Sequence, residues 1–129
     1  MSHSADNPFQ QALQRAGFSG DIDCSYSGRL TASFDNSIFQ LLPEGILYPR
    51  TKEDIRQIFI TRQDAKFQKL FFCPKGGGTS TNGQSLSRGW IIDTSRYFRR
   101  ILQVNPVEKF AVVEAGVTLE ELNLSLIHI

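Results

Sequence analysis

The chain has 129 residues, of which 40% are hydrophobic, with 14 Lys and Arg against 13 Asp and Glu. Its length predicts one small domain or a piece of a larger one, and its composition is that of a folded protein rather than a disordered tail or a coiled coil. The net charge of +1 gives no electrostatic reason to expect nucleic acid or an acidic membrane as partner.

The two cysteines and the apolar runs exclude further classes of protein. Cys24 and Cys73 lie too far apart in the sequence to form the paired motif of a zinc or iron–sulfur site, so we predict no metal site in this chain. No apolar run approaches the length of a transmembrane helix, and the first residues lack the basic and apolar regions of a secretory signal. These features predict a soluble, cytoplasmic protein with reduced thiols.

Residues 1–39 are predicted to form a short helix and an extended lead-in to the domain. Asn7 can cap this helix, with Pro8 at its first position, and Gly17 ends it. Its apolar face consists of Phe9, Leu13 and Ala16. The polar and broken sequence from 20 to 39 predicts mostly loop.

Strand and helix signals alternate from residue 40 onward. The apolar run 45–48 predicts a strand, and Thr51 with Asp54 forms a capping box that opens a helix. Helical spacing predicts that its inner face is formed by Ile55, Ile58, Phe59 and Ala65. A second strand is predicted at 70–73, ending at Pro74, so that strand, helix and strand form a unit with parallel strands.

The second half of the chain predicts three further strands and one helix. The strands are expected at 90–93, 101–104 and 110–113, with a turn at Asn105-Pro106 by which the last two close the sheet. Thr118 and Glu121 repeat the capping-box spacing and begin a helix. The predicted fold class is therefore α+β, a truncated mixed sheet with flanking helices, and residues 40–124 form an incomplete domain.

Residues 125–129 differ abruptly from what precedes them. They resemble the translated read-through of a sequencing adapter, and we predict that they are a non-native tail. His128 then has no functional meaning, and His3 is expected in a frayed terminus.

The segment from Lys75 to Ser85 is the part of the sequence that predicts a ligand. The three adjacent glycines 76–78 can turn successive backbone N–H groups toward one point, which forms a concavity suited to a phosphate. Lys75 adds a positive charge, and hydroxyl donors are supplied by Thr79, Ser80, Thr81 and Ser85. A flexible surface loop is the alternative, but a position directly after a buried strand favours a ligand site.

Two common nucleotide motifs do not fit this segment. The dinucleotide fingerprint fails because Thr81 stands at the third glycine position and a strand follows instead of a helix. The nucleoside-triphosphate loop fails because Gln84 replaces its lysine. A nicotinamide-binding Rossmann fold and nucleoside-triphosphate hydrolysis are therefore disfavoured.

Several motifs follow one another in an order that resembles a known family. They are Asp35–Phe39, Leu42–Pro49, Pro74–Ser80, Gly83-Gln84, Trp90–Ser95 and Val112–Val117. From about Ser27 to Leu122 the chain resembles the FAD-binding domain of the vanillyl-alcohol-oxidase/PCMH-type superfamily. Within that superfamily it is most similar to the branch of D-lactate dehydrogenase, the glycolate oxidase subunit and D-2-hydroxyglutarate dehydrogenase.

The resemblance implies a site for FAD. The backbone amides of 76–80, with Gly83, would hold the pyrophosphate, and the stretches near Pro74 and Ile92 would line part of the flavin cleft. The implied cofactor-binding residues are Pro74, Lys75, Gly76, Gly77, Gly78, Thr79, Ser80, Gly83, Gln84 and Ile92. Lys75 stands where the family usually has Arg, and Thr79 stands where some relatives attach the flavin through a histidine. The resemblance therefore implies non-covalent FAD.

The function implied for the parent protein is flavin-dependent oxidation of a D-2-hydroxy acid such as D-lactate, glycolate or D-2-hydroxyglutarate. Substrate-binding and proton-abstracting groups would come from a later domain, so we assign no catalytic residue here and expect this chain alone to be inactive. Any iron–sulfur cluster or peripheral membrane association would belong to the rest of the parent. Two alternatives stay open: a stand-alone nucleotide-binding module without catalysis, and a flavin reductase of cell-wall nucleotide sugars.

Other candidate residues have simpler structural interpretations. Asp93 is expected to support the turn at Thr94-Ser95 rather than to act in chemistry. The basic segment 96–100 is expected to be a solvated turn rather than a nucleic-acid patch. Trp90 is assigned to the core, and Cys73 to inert packing.

Overall fold

The computed structural model describes residues 7–127, so the predictions for His3 and His128 fall outside the described residues. The strands are β1 (Asp21–Asp23), β2 (Gly45–Tyr48), β3 (Phe72–Lys75), β4 (Trp90–Asp93), β5 (Ile101–Asn105) and β6 (Phe110–Val113). The helices are α1 (Pro8–Arg15), α2 (Tyr26–Thr31), α3 (Lys52–Arg62) and α4 (Leu119–Leu126), with a 3₁₀ turn at Ala65–Phe67.

The first four strands form one mixed sheet in the order β1-β2-β4-β3. Strands β2 and β3 both run parallel to β4, and β1 is antiparallel to β2. Strands β2 and β4 take the two inner positions, and all four residues of β4 are buried, as expected for a continuous apolar run. The carboxyl ends of β2, β3 and β4 therefore meet at one edge of the sheet.

The two faces of this sheet are covered by different helices. One face packs against α1 and α3 in a core made of Phe9, Leu13, Leu47, Ile58, Phe67, Trp90 and Ile92. The other face is smaller, and there Ile46 and Ile91 pack against Ala32 at the end of α2. Side chains alternate between the faces along β2 and β4, so each strand contributes to both cores.

The predicted helix starts are confirmed by their capping contacts. Asn7 Oδ1 accepts hydrogen bonds from the amides of Phe9 and Gln10 at 3.0 and 3.1 Å. Complete capping boxes begin α3 at Thr51 and α4 at Thr118.

The predicted apolar faces of α1 and α3 are only partly correct. In α1, Ala16 is the exposed C-cap, and Ala12 packs against the core instead. In α3, Ile58 is fully buried, whereas Phe59 is half exposed. Ala65 belongs to the separate 3₁₀ turn, because α3 ends at Arg62 before the predicted face is complete.

The prediction of a loop from 20 to 39 is wrong in part. The segment contains β1, which pairs with β2, and α2, which is capped by the Ser25 side chain. A single apolar residue between two aspartates is enough for β1 because an edge strand needs only one buried face. The signal in so short a strand was too weak to be detected in the sequence.

The predicted position of β3 is shifted by two residues. The strand continues through Pro74 to Lys75 instead of stopping before the proline. Proline is tolerated there because β3 lies at the edge of the sheet, where one side of the strand has no ladder hydrogen bonds to lose.

The prediction that β5 and β6 close the main sheet is wrong. They form a separate two-stranded antiparallel sheet. Backbone bonds join this hairpin to the turn after β4: Gly116 N donates to Phe98 O at 2.7 Å and Glu114 N to Arg100 O at 2.9 Å. Helix α4 then runs two residues past 124, and the domain limits and the non-native tail stay predictions.

No helix within residues 7–127 is long and apolar enough to cross a membrane.

Candidate functional site

The glycine loop, residues 75–85, lies at the edge where the parallel strands end. It encloses a cavity of about 230 Å³. The cavity is lined by Pro74, Lys75, Gly76, Gly77, Gly78, Thr79, Ser80, Gln84 and Ser85. We call this cavity the cradle. It brings together all the predicted cofactor-binding residues except Gly83 and Ile92.

Successive backbone N–H groups in the cradle lack partners inside the protein. Within residues 7–127, the amides of Gly76, Gly77, Gly78 and Thr79 donate no hydrogen bond. Unpaired amides that follow one another along a glycine-rich turn are the donor set that binds phosphate oxygens. The cradle therefore fits a diphosphate group.

The glycines of the loop serve two different purposes. Gly78 and Gly83 have φ values of 70° and 79°, a conformation that a residue with a side chain rarely adopts. Gly77 has no positive φ, and a Cβ atom there would meet no atom within 4 Å. The fold itself therefore does not require a glycine at 77, and its missing side chain leaves the backbone open to a ligand.

The Lys75 side chain folds back over the loop toward Asp93. A Cβ at Gly78 would lie 2.8 Å from Lys75 Cε, and Lys75 Nζ lies 3.8 Å from Asp93 Oδ2. The Lys75 ammonium group therefore lies near the buried Asp93 carboxylate, which partly balances its charge, while the residue also lines the cradle. Asp93 Oδ1 also accepts bonds from the Ser95 amide at 2.9 Å and the Ser95 hydroxyl at 2.6 Å, which is the turn role that we expected.

Two of the hydroxyl groups expected to face a ligand are already engaged. Ser80 Oγ donates to Asp35 Oδ2 at 2.5 Å, and it lies 2.9 Å from Ser85 Oγ. Since Ser80 gives its only proton to Asp35, Ser85 must donate to Ser80. Neither hydroxyl then has a proton for a phosphate, and the backbone amides become the principal donors.

Asp35 stands in the motif Asp35–Phe39 of the family resemblance, but no role for its side chain could be predicted from the sequence. Hydrogen bonds from Ser37 and Ser80 hold the pKa of Asp35 below its usual value of 3.8. Ser37 two residues later could have indicated a local turn, but Ser80 follows 45 residues further along the chain, and no sequence pattern connects the two.

Gly83 and Ile92 lie outside the cradle. Gly83 borders a smaller cavity of about 200 Å³ beside Phe39 and Leu86. Ile92 lines a cavity of about 450 Å³ on the side of the sheet covered by α3. We call it the apolar groove, and its lining residues are Ile55, Phe59, Arg62, Phe71, Phe72, Pro74, Ile92 and Thr94. Pro74 borders both the cradle and the groove.

The remaining candidates have structural partners. Arg96 pairs with Asp21 at 3.1 Å, Arg100 pairs with Glu114 at 2.7 Å, and Arg99 pairs with Glu121. A segment whose three arginines are all paired offers no free basic patch to nucleic acid. Cys73 Sγ contacts Gln84 O at 3.1 Å, and burial raises the pKa of this thiol, which favours an inert role.

Comparison with known proteins identifies the class to which this fold and cradle belong. The family model described as FAD binding domain matches residues 43–128, and the chain belongs to this family. The family resemblance and the fold class predicted from the sequence are thereby confirmed.

The curated relatives narrow the comparison within that family. The chain is 47% identical over 115 residues to the D-2-hydroxyglutarate dehydrogenase of Escherichia coli (strain K12), an alignment that covers 89% of this chain and 11% of that protein. It is 48% identical over 118 residues to the enzyme of the same name from Pantoea ananatis (strain AJ13355), covering 92% and 12%. The chain thus spans roughly an eighth of the length of these relatives.

Solved structures agree on the fold. The Physcomitrella patens BBE-like 1 wild-type protein superposes with a TM-score of 0.75 at 24% identity, covering 95% of this chain and 26% of that one. Alkyldihydroxyacetonephosphate synthase superposes with a TM-score of 0.74 at 22% identity, covering 93% and 24%. At this level of identity the likeness shows the fold alone.

Proposed function

We propose that this chain supplies the diphosphate-binding part of the FAD site in a flavin-dependent dehydrogenase of D-2-hydroxy acids. The observation that carries the proposal is the row of unpaired amides from Gly76 to Thr79, at the carboxyl ends of parallel strands in a domain of the FAD-binding family. The relatives named as D-2-hydroxyglutarate dehydrogenases support the substrate class. A 34% identical D-lactate dehydrogenase of Kluyveromyces lactis makes D-lactate the second candidate substrate.

Each part of the loop has a separate role in this proposal. The amides of 76–79 bind the diphosphate oxygens, Gly77 allows the backbone to approach them, and Gly78 and Gly83 permit the turns. Lys75, fixed by Asp93, adds positive charge beside the cradle. Pro74 and Ile92 form an apolar wall next to it, and Gln84 holds the loop by accepting a bond from the Asn82 amide at 3.0 Å.

We further propose that FAD is bound without a covalent link. Thr79 occupies the position at which a histidine would attach the flavin, and residues 7–127 contain no histidine. FAD held there would supply the hydride-accepting chemistry that oxidation of a hydroxy acid requires. The groups that bind the substrate and accept its hydroxyl proton, and any iron–sulfur cluster, belong to other parts of the parent protein. A cytoplasmic location stays a prediction.

The diphosphate role is tested by Gly77→Val in a full-length protein that carries this chain. A Cβ at this position meets no atom within 4 Å, whereas the β-branch of valine would cover the amides that FAD approaches. We expect FAD affinity, measured by flavin fluorescence during titration of the apoprotein, to fall by roughly tenfold or more, the order of one lost charged hydrogen bond.

A control separates binding from folding. Gly17 has a φ of 86° and lies just after α1, away from the cradle, so Gly17→Ala should lower thermal stability and leave the dissociation constant of FAD unchanged. Unchanged affinity in Gly77→Val would contradict the assigned role.

The substrate class is tested by steady-state reduction of a dye acceptor. D-2-hydroxyglutarate should give a higher kcat/KM than D-lactate or glycolate. FAD binding without oxidation of any of the three would favour the stand-alone module. Oxidation of a reduced nicotinamide donor that depends on an added nucleotide sugar, measured in a separate assay without the dye, would favour the reductase.

A further inference from the structure

We propose that Asp35 is a positioning residue of the cradle and that it acts through Ser80. The inference rests on the proposed function, because it concerns how the same loop is held in the shape that binds FAD. Asp35 lies outside residues 43–128, the range matched by the family model. The lead-in to the domain would therefore complete the cofactor site.

Direct contacts join Asp35 and its neighbour to one residue of the loop. The Ser80 hydroxyl donates to Asp35 Oδ2 at 2.5 Å, and the Asn36 amide donates to Ser80 O at 3.0 Å. The side chain and the carbonyl of Ser80 are thus held by adjacent residues of the lead-in. Ser80 directly follows Thr79, so fixing it also fixes the direction of the amides that precede it.

A second set of bonds connects Ser80 to the far end of the loop. The Ser85 hydroxyl lies 2.9 Å from Ser80 Oγ, and the Ser85 amide donates to the same oxygen at 3.4 Å. Ser85 is only 7% exposed. The chain of bonds from Ser85 through Ser80 to Asp35 therefore ties both ends of the cradle to the lead-in.

The donors around Asp35 stabilise its ionised form, so the residue stays an acceptor for the loop. Ser37 N donates to Oδ1 at 2.8 Å, and hydrogen bonds from Ser37, Ser80 and the Gly83 backbone keep the pKa of Asp35 lowered. An asparagine has only one accepting oxygen, so in Asp35→Asn either Ser37 or Ser80 faces an amino group that cannot accept.

The test measures FAD affinity in the full-length protein. We expect Asp35→Asn and Ser80→Ala each to weaken FAD binding by roughly tenfold, the order of one hydrogen bond to a charged group. The double variant should bind FAD as tightly as the single variant with the lower affinity, because both changes remove the same connection between Asp35 and Ser80. Ser80→Thr keeps the hydroxyl and should retain affinity within roughly twofold of the wild type.

Asp64→Asn is the matched control. Asp64 also accepts a bond from an amide two residues later, that of Lys66 at 3.2 Å, but it lies in the turn after α3 and does not touch the loop. Its replacement should leave the dissociation constant of FAD unchanged.

Three outcomes would overturn the inference while the proposed function stands. The first is wild-type FAD affinity in Asp35→Asn or Ser80→Ala, and the second is a loss of FAD affinity in the double variant that equals the sum of the two single losses. The third is a variant apoprotein whose melting temperature falls while its FAD affinity is unchanged, which would indicate a role in stability alone. If Asp35→Asn does not fold, the contrast between Ser80→Ala and Ser80→Thr decides, since only the former should lose affinity. A wild-type protein that binds no FAD would instead refute the proposed function itself.

Discussion

At the residue scale, aspartate carboxylates hold several turns by accepting hydrogen bonds. Asp93 holds the turn after β4, Asp35 holds Ser80, and Asp54 holds the entry to α3. Asp54 is 3% exposed and accepts from the Ser19 amide and hydroxyl, both at 2.8 Å, and from the Arg50 amide, also at 2.8 Å. A buried carboxylate is stable there because donors from separate segments replace its water.

Asp54→Asn should destabilise the protein, because an amino group would face donors that now meet an oxygen. We expect a loss of about 1–3 kcal/mol in the free energy of unfolding. Urea unfolding of the chain at low concentration, followed by fluorescence of Trp90, its single tryptophan, measures this. The exposed neighbour Glu53 is the control, and Glu53→Gln should change stability by less than about 0.5 kcal/mol.

The same carboxylate should contribute to the acid sensitivity of the fold. Burial acts to raise the pKa of Asp54, but hydrogen bonds from Ser19, Arg50 and Thr51 outweigh it and hold the pKa below 3.8. A group with a lowered folded pKa adds stability above its unfolded pKa and loses it as the pH falls through the folded value. Below pH 3.8, Asp54→Asn should therefore lose less stability than the wild type, and parallel pH profiles of the two proteins would contradict this.

At the scale of elements, close packing of strands and turns sets where glycine is needed. Gly45 opens β2 directly against the indole of Trp90, and a Cβ there would lie 2.5 Å from Cζ3. A Cβ at Gly116 would clash with the carbonyl oxygens of Thr94 and Phe98, so the close fit of the β5–β6 hairpin against the turn after β4 requires a glycine here. Neither Gly45 nor Gly116 has a positive φ, so glycine is needed at these positions because neighbouring atoms lie close by, and not because of the backbone conformation.

Gly45→Ala should overpack the core beside Trp90. Because the indole is fully buried and cannot move aside freely, we expect a loss of about 1–3 kcal/mol in the free energy of unfolding, again measured by urea unfolding.

Gly76→Ala is the control for this change. A Cβ at that position meets only Ala115 O at 3.5 Å, an ordinary contact, so the stability should stay the same or rise slightly. A similar loss in both variants would indicate a general effect of removing glycine.

At the scale of the whole molecule, apolar surface gathers around the groove beside β3. Phe59 is 50% exposed and Phe71 is 55% exposed, and both border the apolar groove next to an edge strand. An exposed apolar patch beside an unpaired strand edge favours association with other apolar surfaces.

The isolated 129-residue chain should therefore self-associate as its concentration rises. Replacing both Phe59 and Phe71 by Ser should shift sedimentation velocity profiles toward the monomer, because the groove loses its aromatic walls. Val107 is 88% exposed but does not line the groove, so Val107→Ser should leave association unchanged. Equal association of all three proteins would show that the groove is not the contact.

The fold could be predicted from the sequence wherever the signal lies in adjacent residues. The capping pairs at Thr51 and Thr118, the buried run of β4 and the glycine run after β3 are all of this kind, since helix caps, strand burial and turn conformation depend on near neighbours. The family resemblance also came from short motifs in order, and the match over residues 43–128 confirms it.

Only the tertiary structure determined which distant residues meet. The pairing of β1 with β2, the separation of β5 and β6 from the main sheet, and the edge position that tolerates Pro74 all depend on strand neighbours far apart in sequence. The contact of Asp35 with Ser80 is of the same kind. The sequence by itself determined the capped helices α1, α3 and α4, the buried strands and the cradle glycines, because these depend on capping residues, periodic burial and backbone freedom. Which side chains are held against that cradle was decided by long-range packing, which no local pattern encodes.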